Sequence, residues 1–227
     1  MPPTGGSCSG ALTMRPSLQL QLYAVERVYL NGGTSSSQTY ADYLTLVESS
    51  GAAVAVLSRG ETIPLGGLEL DVLHPAGISG DSNADSLVVL LSCGAVDVIL
   101  TGDATIASEE SMLAAGVVMP VEVLKVGHHG SNTSTGQPFL DALQPAYAVI
   151  SAGMNSQYGH PHAEVVARLV AMDVEIYHTD LTPDDDTVTM TSDCATVTFE
   201  GDPVPYGLDG ALSSRSAWED APLPMAA

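Results

Sequence analysis

Leu100-Thr101-Gly102-Asp103, Val123-Leu124-Lys125-Val126-Gly127-His128-His129-Gly130-Ser131 and Tyr158-Gly159-His160-Pro161-His162 are the stretches on which the reading of this chain turns. Each follows an apolar run of strand length: Val96–Leu100, Val121–Val126 and Tyr147–Ser151. Three strands would therefore deliver one aspartate and several histidines at their C-terminal ends, where α/β proteins build their sites. Glycine beside each cluster lets the backbone turn sharply. Of the six histidines, four fall in the two tight clusters. A carboxylate with several imidazoles suits a borderline metal such as zinc or manganese.

Around these stretches the chain alternates short apolar runs with helical patterns. Arg27–Leu30 and Ala53–Leu57 read as strands flanking a helix over Gln38–Glu48. That helix places Tyr40, Tyr43, Leu44 and Val47 on one face, with a cap among Ser35–Ser37 and a stop at Gly51. Leu68–Leu73, Ser86–Leu91 and Val96–Thr101 read as strands, the last two as a hairpin turning at Ser92–Ala95. A helix over Ala107–Ala115 carries Glu109 and Glu110 in its first turn, where they suit the dipole. Val121–Val126 and Tyr147–Ser151 are strands on either side of a short helix over Pro138–Leu143. A helix opening at Pro161 presents the stripe Val165, Val166, Leu169 and Val170. Val174–Tyr177, Thr187–Met190 and Ala195–Phe199 close the pattern as strands. The whole indicates an α/β or α+β layered domain.

The quoted strings, with Ser86-Leu87-Val88 and Leu70–Pro75 ahead of them in the same order, resemble the metallo-β-lactamase domain of ComEC/Rec2 competence proteins. The resemblance runs from Val28 to Phe199, and several ordered motifs carry it. It implies a four-layer αββα sandwich with two metal ions between the sheet edges. In such domains a hydroxide activated on the ions attacks an ester, often a phosphodiester. Asp103 matches the bridging carboxylate and His129 the late histidine ligand. His128 matches a ligand or a contact to the substrate phosphate, and His160 the final histidine lining the site. Zinc or manganese is the implied cofactor.

The family's main ligand cluster, His-x-His/Asp-x-Asp-His, belongs to the first half of that sandwich, and this sequence contains no such string. Its first histidine is His74. The expected fold is thus a metallo-β-lactamase-like αββα sandwich with its N-terminal part missing. Residues 1–14 would be a flexible remnant of a preceding segment, 15–201 the C-terminal portion of the domain, and 202–227 a disordered tail. The expected function is a metal-dependent hydrolase domain, nuclease-like, acting on a phosphodiester or related ester, incomplete and inactive as a lone chain. Its partners would be a missing N-terminal segment or complementary subunit, and a nucleic acid or phosphoester substrate. The alternative is a non-catalytic interaction module, or a split-enzyme subunit, that keeps the scaffold.

Simpler readings stand beside the functional ones. Asp103 could cap the following helix, His160 the next one, and His128 and His129 could be solvated loop residues. His162 fits an exposed first helical turn, and His74 and His178 fit ordinary strand ends. Lys125 reads as a strand residue whose stem packs while its head reaches water. Asn83 and Ser86 could line the site, with a turn before the strand as the simpler account, and Asp184–Asp186 fits a solvated loop without calcium-site spacing.

Charge and cysteines bound the rest. Six Lys+Arg face 27 Asp+Glu, a formal charge of −21, and Lys125 is the only lysine. Such a surface repels itself and phosphate backbones at ordinary salt, whereas at 1 M the screening length falls to about 3 Å. The composition therefore points to a high-salt environment. Cys8, Cys93 and Cys194 include no CxxC pair, and an odd count argues against a disulfide framework. Cys93 and Cys194 read as small buried hydrophobes. Met1–Met14 lacks the basic and apolar regions of a signal peptide, and no apolar run approaches the roughly 20 residues of a membrane helix. Strands deprived of neighbours leave open edges and bare apolar faces. The isolated chain is accordingly expected to be poorly soluble despite its charge; a cooperative, monomeric melt in low salt, by light scattering and circular dichroism, would contradict this.

Overall fold

Along Val96–Leu100 the side chains of Val96, Val98 and Leu100 face one way and that of Ile99 the other, so this strand feeds two apolar layers. The computed structural model describes Leu20 and residues 23–153, 158–181 and 187–212. Segment 1–14, Asp184–Asp186 and residues 213–227, Trp218 among them, lie outside the described residues.

In chain order the described elements are β1 (Arg27–Leu30), α1 (Gln38–Ser50), β2 (Ala53–Val56), β3 (Thr62–Leu65), β4 (Leu68–His74), β5 (Val88–Cys93) and β6 (Val96–Leu100). There follow α2 (Ile106–Ala114), β7 (Val123–Lys125), a 3-10 turn (Gly127–Gly130), α3 (Gln137–Leu143) and β8 (Tyr147–Ile150). The last are α4 (Ala163–Ala171), β9 (Glu175–His178), β10 (Met190–Ser192) and β11 (Val197–Phe199). Strands β3 to β9 form one sheet in sequence order. Its first part is antiparallel, joined by hairpins. From β6 to β9 it is parallel, and α2, α3 and α4 supply the crossovers that parallel pairing requires.

The helices cover one face. Met112 from α2, Phe139, Leu140 and Leu143 from α3, and Val165, Val166 and Leu169 from α4 pack on Ile99, Leu124, Ala148, Ile150 and Ile176. On the other face Val96, Val98 and Val123 meet Met190, Val197 and Phe199 of the β10–β11 hairpin. Phe199 stacks on Tyr177 at 4.0 Å between ring centroids. The layering is α/β/β, in agreement with the mixed α/β expectation.

β1 and β2 form a separate parallel pair around α1, which Ser37 caps through the Tyr40 amide and Gly51 ends in a left-handed conformation. Of the stripe read on α1, only Val47 is buried. Val54 and Val56 are 52% and 59% exposed, so this unit carries a bare apolar side. Asn31 Nδ2 donates to Asp85 O at 2.7 Å and ties the unit to the loop before β5.

Several expectations need correction. Cys93 and Cys194 are joined in a disulfide across 101 residues, with Cα atoms 4.9 Å apart. Linear spacing hid this, because only the hairpin folded over the sheet brings the two turns together. Strand β3 was not expected, since Pro64 interrupts its pattern; among the described residues it pairs only with β4, as suits a proline-bearing edge strand. Helix α4 begins at Ala163 with His162 as its N-cap residue, so Pro161 precedes the helix instead of opening it. The strand expected over Thr187–Met190 is displaced to Met190–Ser192. Residues 202–212, expected within a tail, pack on the domain: Val204 is buried, its amide donates to Ile176 O at 2.7 Å, and Tyr206 bridges to Leu212. Among the described residues no helix is long and apolar enough to cross a membrane.

Leu140 is fully buried at the centre of the helical layer. Leu140→Ala is expected to lower the unfolding free energy by about 3 kcal/mol, read from the urea midpoint at unchanged slope.

Candidate metal centre

The parallel register Leu100↔Lys125↔Val149 brings the ends of β6, β7 and β8 level with one another. The chain leaves β6 through Gly102, whose Cα lies against Ser86: a Cβ there would meet the Ser86 side chain at 3.3 Å. Asp103 follows, its amide donating to Ser86 Oγ at 3.1 Å. Thr105, not Asp103, caps α2, through a reciprocal capping box with Ser108. The capping role considered for Asp103 is therefore taken by another residue, and its carboxylate is left half-exposed.

β7 leads into the histidine turn. His128 and His129 both adopt left-handed backbone conformations, at φ 48° and φ 57°. L-residues seldom do this, and two in succession mark a locally strained turn. The strain is held by neighbours. His128 N donates to Gly102 O at 3.0 Å, Thr101 Oγ1 to Lys125 O at 2.6 Å, and Ser134 Oγ lies 2.8 Å from Gly127 O. Gly130 packs on Pro161 so closely that a Cβ would come within 2.6 Å of the proline ring, and His162 N donates to Gly130 O. His162 Nδ1 accepts the Asn132 amide at 3.0 Å. The two histidine loops are thus interlocked.

These contacts gather Asp103, His128, His129, His160 and His162. His129 Nε2 lies 3.6 Å from Asp103 Oδ1, with both side chains nearly half exposed. His129 Nδ1 donates to the Ser151 carbonyl, which turns the Nε2 edge of the ring toward the carboxylate. His128 Nδ1 pairs with Thr133 Oγ1 at 3.2 Å. The His160 ring sits 5.6 Å from that of His128, 6.4 Å from that of His129 and 5.0 Å from that of His162. Burial, then the neighbouring imidazoles, holds the pKa of His160 below its ordinary value, against the pull of Asp103. His162 is thereby part of the cluster and not simply a residue of an exposed helical turn. Among the described residues no three His, Cys, Asp or Glu side chains converge closely enough to hold an ion.

The other singled-out residues have structural partners. His178 is buried between Tyr206 OH and Ala152 O. His74 is buried with Nε2 on Ala84 O at 2.8 Å. Lys125 turns its ammonium back onto Val126 O at 3.0 Å, and burial pulls its pKa down to about 8, with Asp103 opposing.

Glu109 was read only as a helix-dipole partner, yet it is buried and binds the loop after the histidine turn. Its carboxylate accepts the Thr135 amide and, at 2.9 Å, the Gly136 amide, while Ile106 N donates to Thr133 O. The available signal was its place on the buried side of α2 with Ser108 and Met112. Burial outweighs the amides and Arg168 and pushes its pKa up to about 7.

A family model and three relatives match this chain. Residues 8–153 match the family model described as the metallo-beta-lactamase superfamily. The chain is 35% identical to ComE operon protein 3 of Bacillus subtilis over 162 residues, which is 71% of this chain and 21% of that protein. It is 37% identical to competence protein ComA of Neisseria gonorrhoeae over 117 residues, covering 51% and 17%. It is 38% identical to recombination protein 2 of Haemophilus influenzae over 104 residues, covering 45% and 13%. The chain thus spans no more than 21% of the length of these relatives.

Because Glu109 titrates higher in the fold than in the unfolded chain, the native state holds the extra proton. Its contribution is complete below its ordinary pKa of 4.5 and is lost as pH rises through about 7. Between those values stability is expected to fall by on the order of 3 kcal/mol from this group. Glu109→Gln should flatten that slope in chemical denaturation run across the same pH range.

Proposed function

The chain belongs to the metallo-β-lactamase superfamily, and on that premise we propose that it carries the later half of a metal-dependent phosphodiesterase centre. The observation that carries this reading is the pair His129 Nε2 and Asp103 Oδ1, facing each other at 3.6 Å. With Nδ1 donating to Ser151 O, the neutral form of the ring would present its Nε2 lone pair to the carboxylate, at a separation too long for a hydrogen bond. Two acceptors turned toward one another in this way suit a shared cation, and carboxylate with imidazole suits zinc or manganese in kind.

Asp103 and His129 would hold the ion, and His128 and His160 would complete its surroundings or contact a phosphate oxygen. Such an ion, when bound, acidifies a coordinated water and offsets charge on the ester. This chain's residues do the rest. Ser151 O fixes the His129 tautomer, Thr133 orients His128, and the Gly130–Pro161 contact keeps His160 beside both. Two donors are too few for a tight site. The remaining ligands would come from a segment bearing the His-x-His/Asp-x-Asp-His string, on a preceding stretch or a complementary subunit, and the lone chain would be inactive. Nucleic acid or another phosphoester is the proposed substrate class, and the half-open site suits a polymeric ester. The likeness to competence proteins supports this choice.

Calorimetric titration of the chain with zinc and with manganese provides the test. Weak binding of a single ion is expected, weakened at least a further tenfold by Asp103→Asn or by His129→Ala. Tight stoichiometric binding of two ions would refute the shared-centre reading. Binding indifferent to both substitutions would favour a scaffold that has kept the fold without the chemistry.

A further inference from the structure

We infer that this domain folds in an oxidising compartment, where Cys93 and Cys194 form a structural disulfide that clamps the β10–β11 hairpin over the second face of the sheet. The inference is independent of the chemistry proposed at Asp103.

The clamp lies where the fold needs it. β10 and β11 have three residues each, and an isolated two-stranded hairpin of that size has little stability of its own. Yet this hairpin supplies Met190, Val197 and Phe199, which cover Val96, Val98 and Val123. Without it, that apolar face of β6 and β7 would meet water. The two cysteines occupy matched turns, Cys93 at the end of β5 and Cys194 between the hairpin strands. Their Cα atoms, 4.9 Å apart, lie within the span a disulfide bridges.

The surrounding backbone is shaped to the same contact. Ala95 N donates to Cys194 O at 2.8 Å. Gly94 has φ +61°, and a Cβ on it would overlap the Cys194 carbonyl oxygen, so the β5–β6 turn accepts only glycine while the hairpin is seated. At the hairpin tip Asp193 Oδ1 accepts the Ala195 and Thr196 amides at 2.9 and 2.8 Å, which presents Cys194 toward the sheet. The bond closes a loop of 101 residues, long enough for a large constraint on the unfolded chain.

The chemistry sets the compartment. Each thiol gives up one proton and one electron as the sulfur–sulfur bond forms. The two electrons pass to an acceptor of the disulfide-exchange class, which is reduced to a dithiol. Reducing cytosols keep such pairs as thiols, whereas compartments beyond the cytosol sustain them.

The test uses the full chain in the cells that make it. Cells are quenched in acid, free thiols are blocked with a maleimide reagent, and the protein is then reduced and labelled with a heavier maleimide. Two heavy labels, on Cys93 and Cys194, are expected; light labels on both would overturn the inference. With purified chain, reductant should lower the melting temperature by about 10 °C and raise binding of an apolar dye. Cys194→Ser should melt at the reduced temperature whether or not reductant is present. A parent chain whose melting is indifferent to reductant would refute the clamp.

Discussion

The parallel ladder of β6, β7 and β8 is the constraint from which the rest follows. Its register sets Leu100, Lys125 and Val149 side by side, so the loops that leave those strands start from one edge. Parallel pairing also demands a crossover after each strand. That requirement puts α2, α3 and α4 on one face and buries the largest apolar cluster beneath them. Core and site are thus two results of one topology: the helices that pack the sheet begin at the loops that carry Asp103, the histidine turn and His160.

Holding those loops takes a second set of interactions, all polar and local. His128 and His129 adopt backbone conformations that L-residues avoid. The fold supports them from three sides: Gly102 and Thr101 from β6, Ser134 and Glu109 from below, and Pro161 with His162 from the neighbouring loop. A buried carboxylate on two amides is a costly way to fix a loop, and the high pKa of Glu109 records that cost. Its return is a histidine turn whose rings keep defined partners, Ser151 O for His129 and Thr133 Oγ1 for His128.

The two faces of the sheet are finished unequally. The helical face is sealed by long side chains from three helices. The opposite face depends on a small hairpin, an aromatic stack of Phe199 on Tyr177, and a covalent tie. Exposed Val54 and Val56 on the β1–β2 pair show the same lack of covering at the other end of the chain.

The sequence alone determined the kinds of residue and their order. The TGD, GHHGS and GHPH strings, each behind an apolar run, were enough to mark three strands and the turns after them, because strand and turn preferences are local, and the fold then brings Asp103, His128, His129 and His160 near one another. Tertiary structure decided what those local signals could not contain. Whether Asp103 caps a helix or faces a histidine depended on where Thr105 and Ser131–Gly136 settle. Cys93 and Cys194 are partners only because the hairpin folds back across the sheet. Glu109 is a loop anchor, and not a surface charge, only because α2 turns that side inward. Each of these is a contact between residues far apart in the chain, and the burial that gives it meaning exists only after the layers have packed.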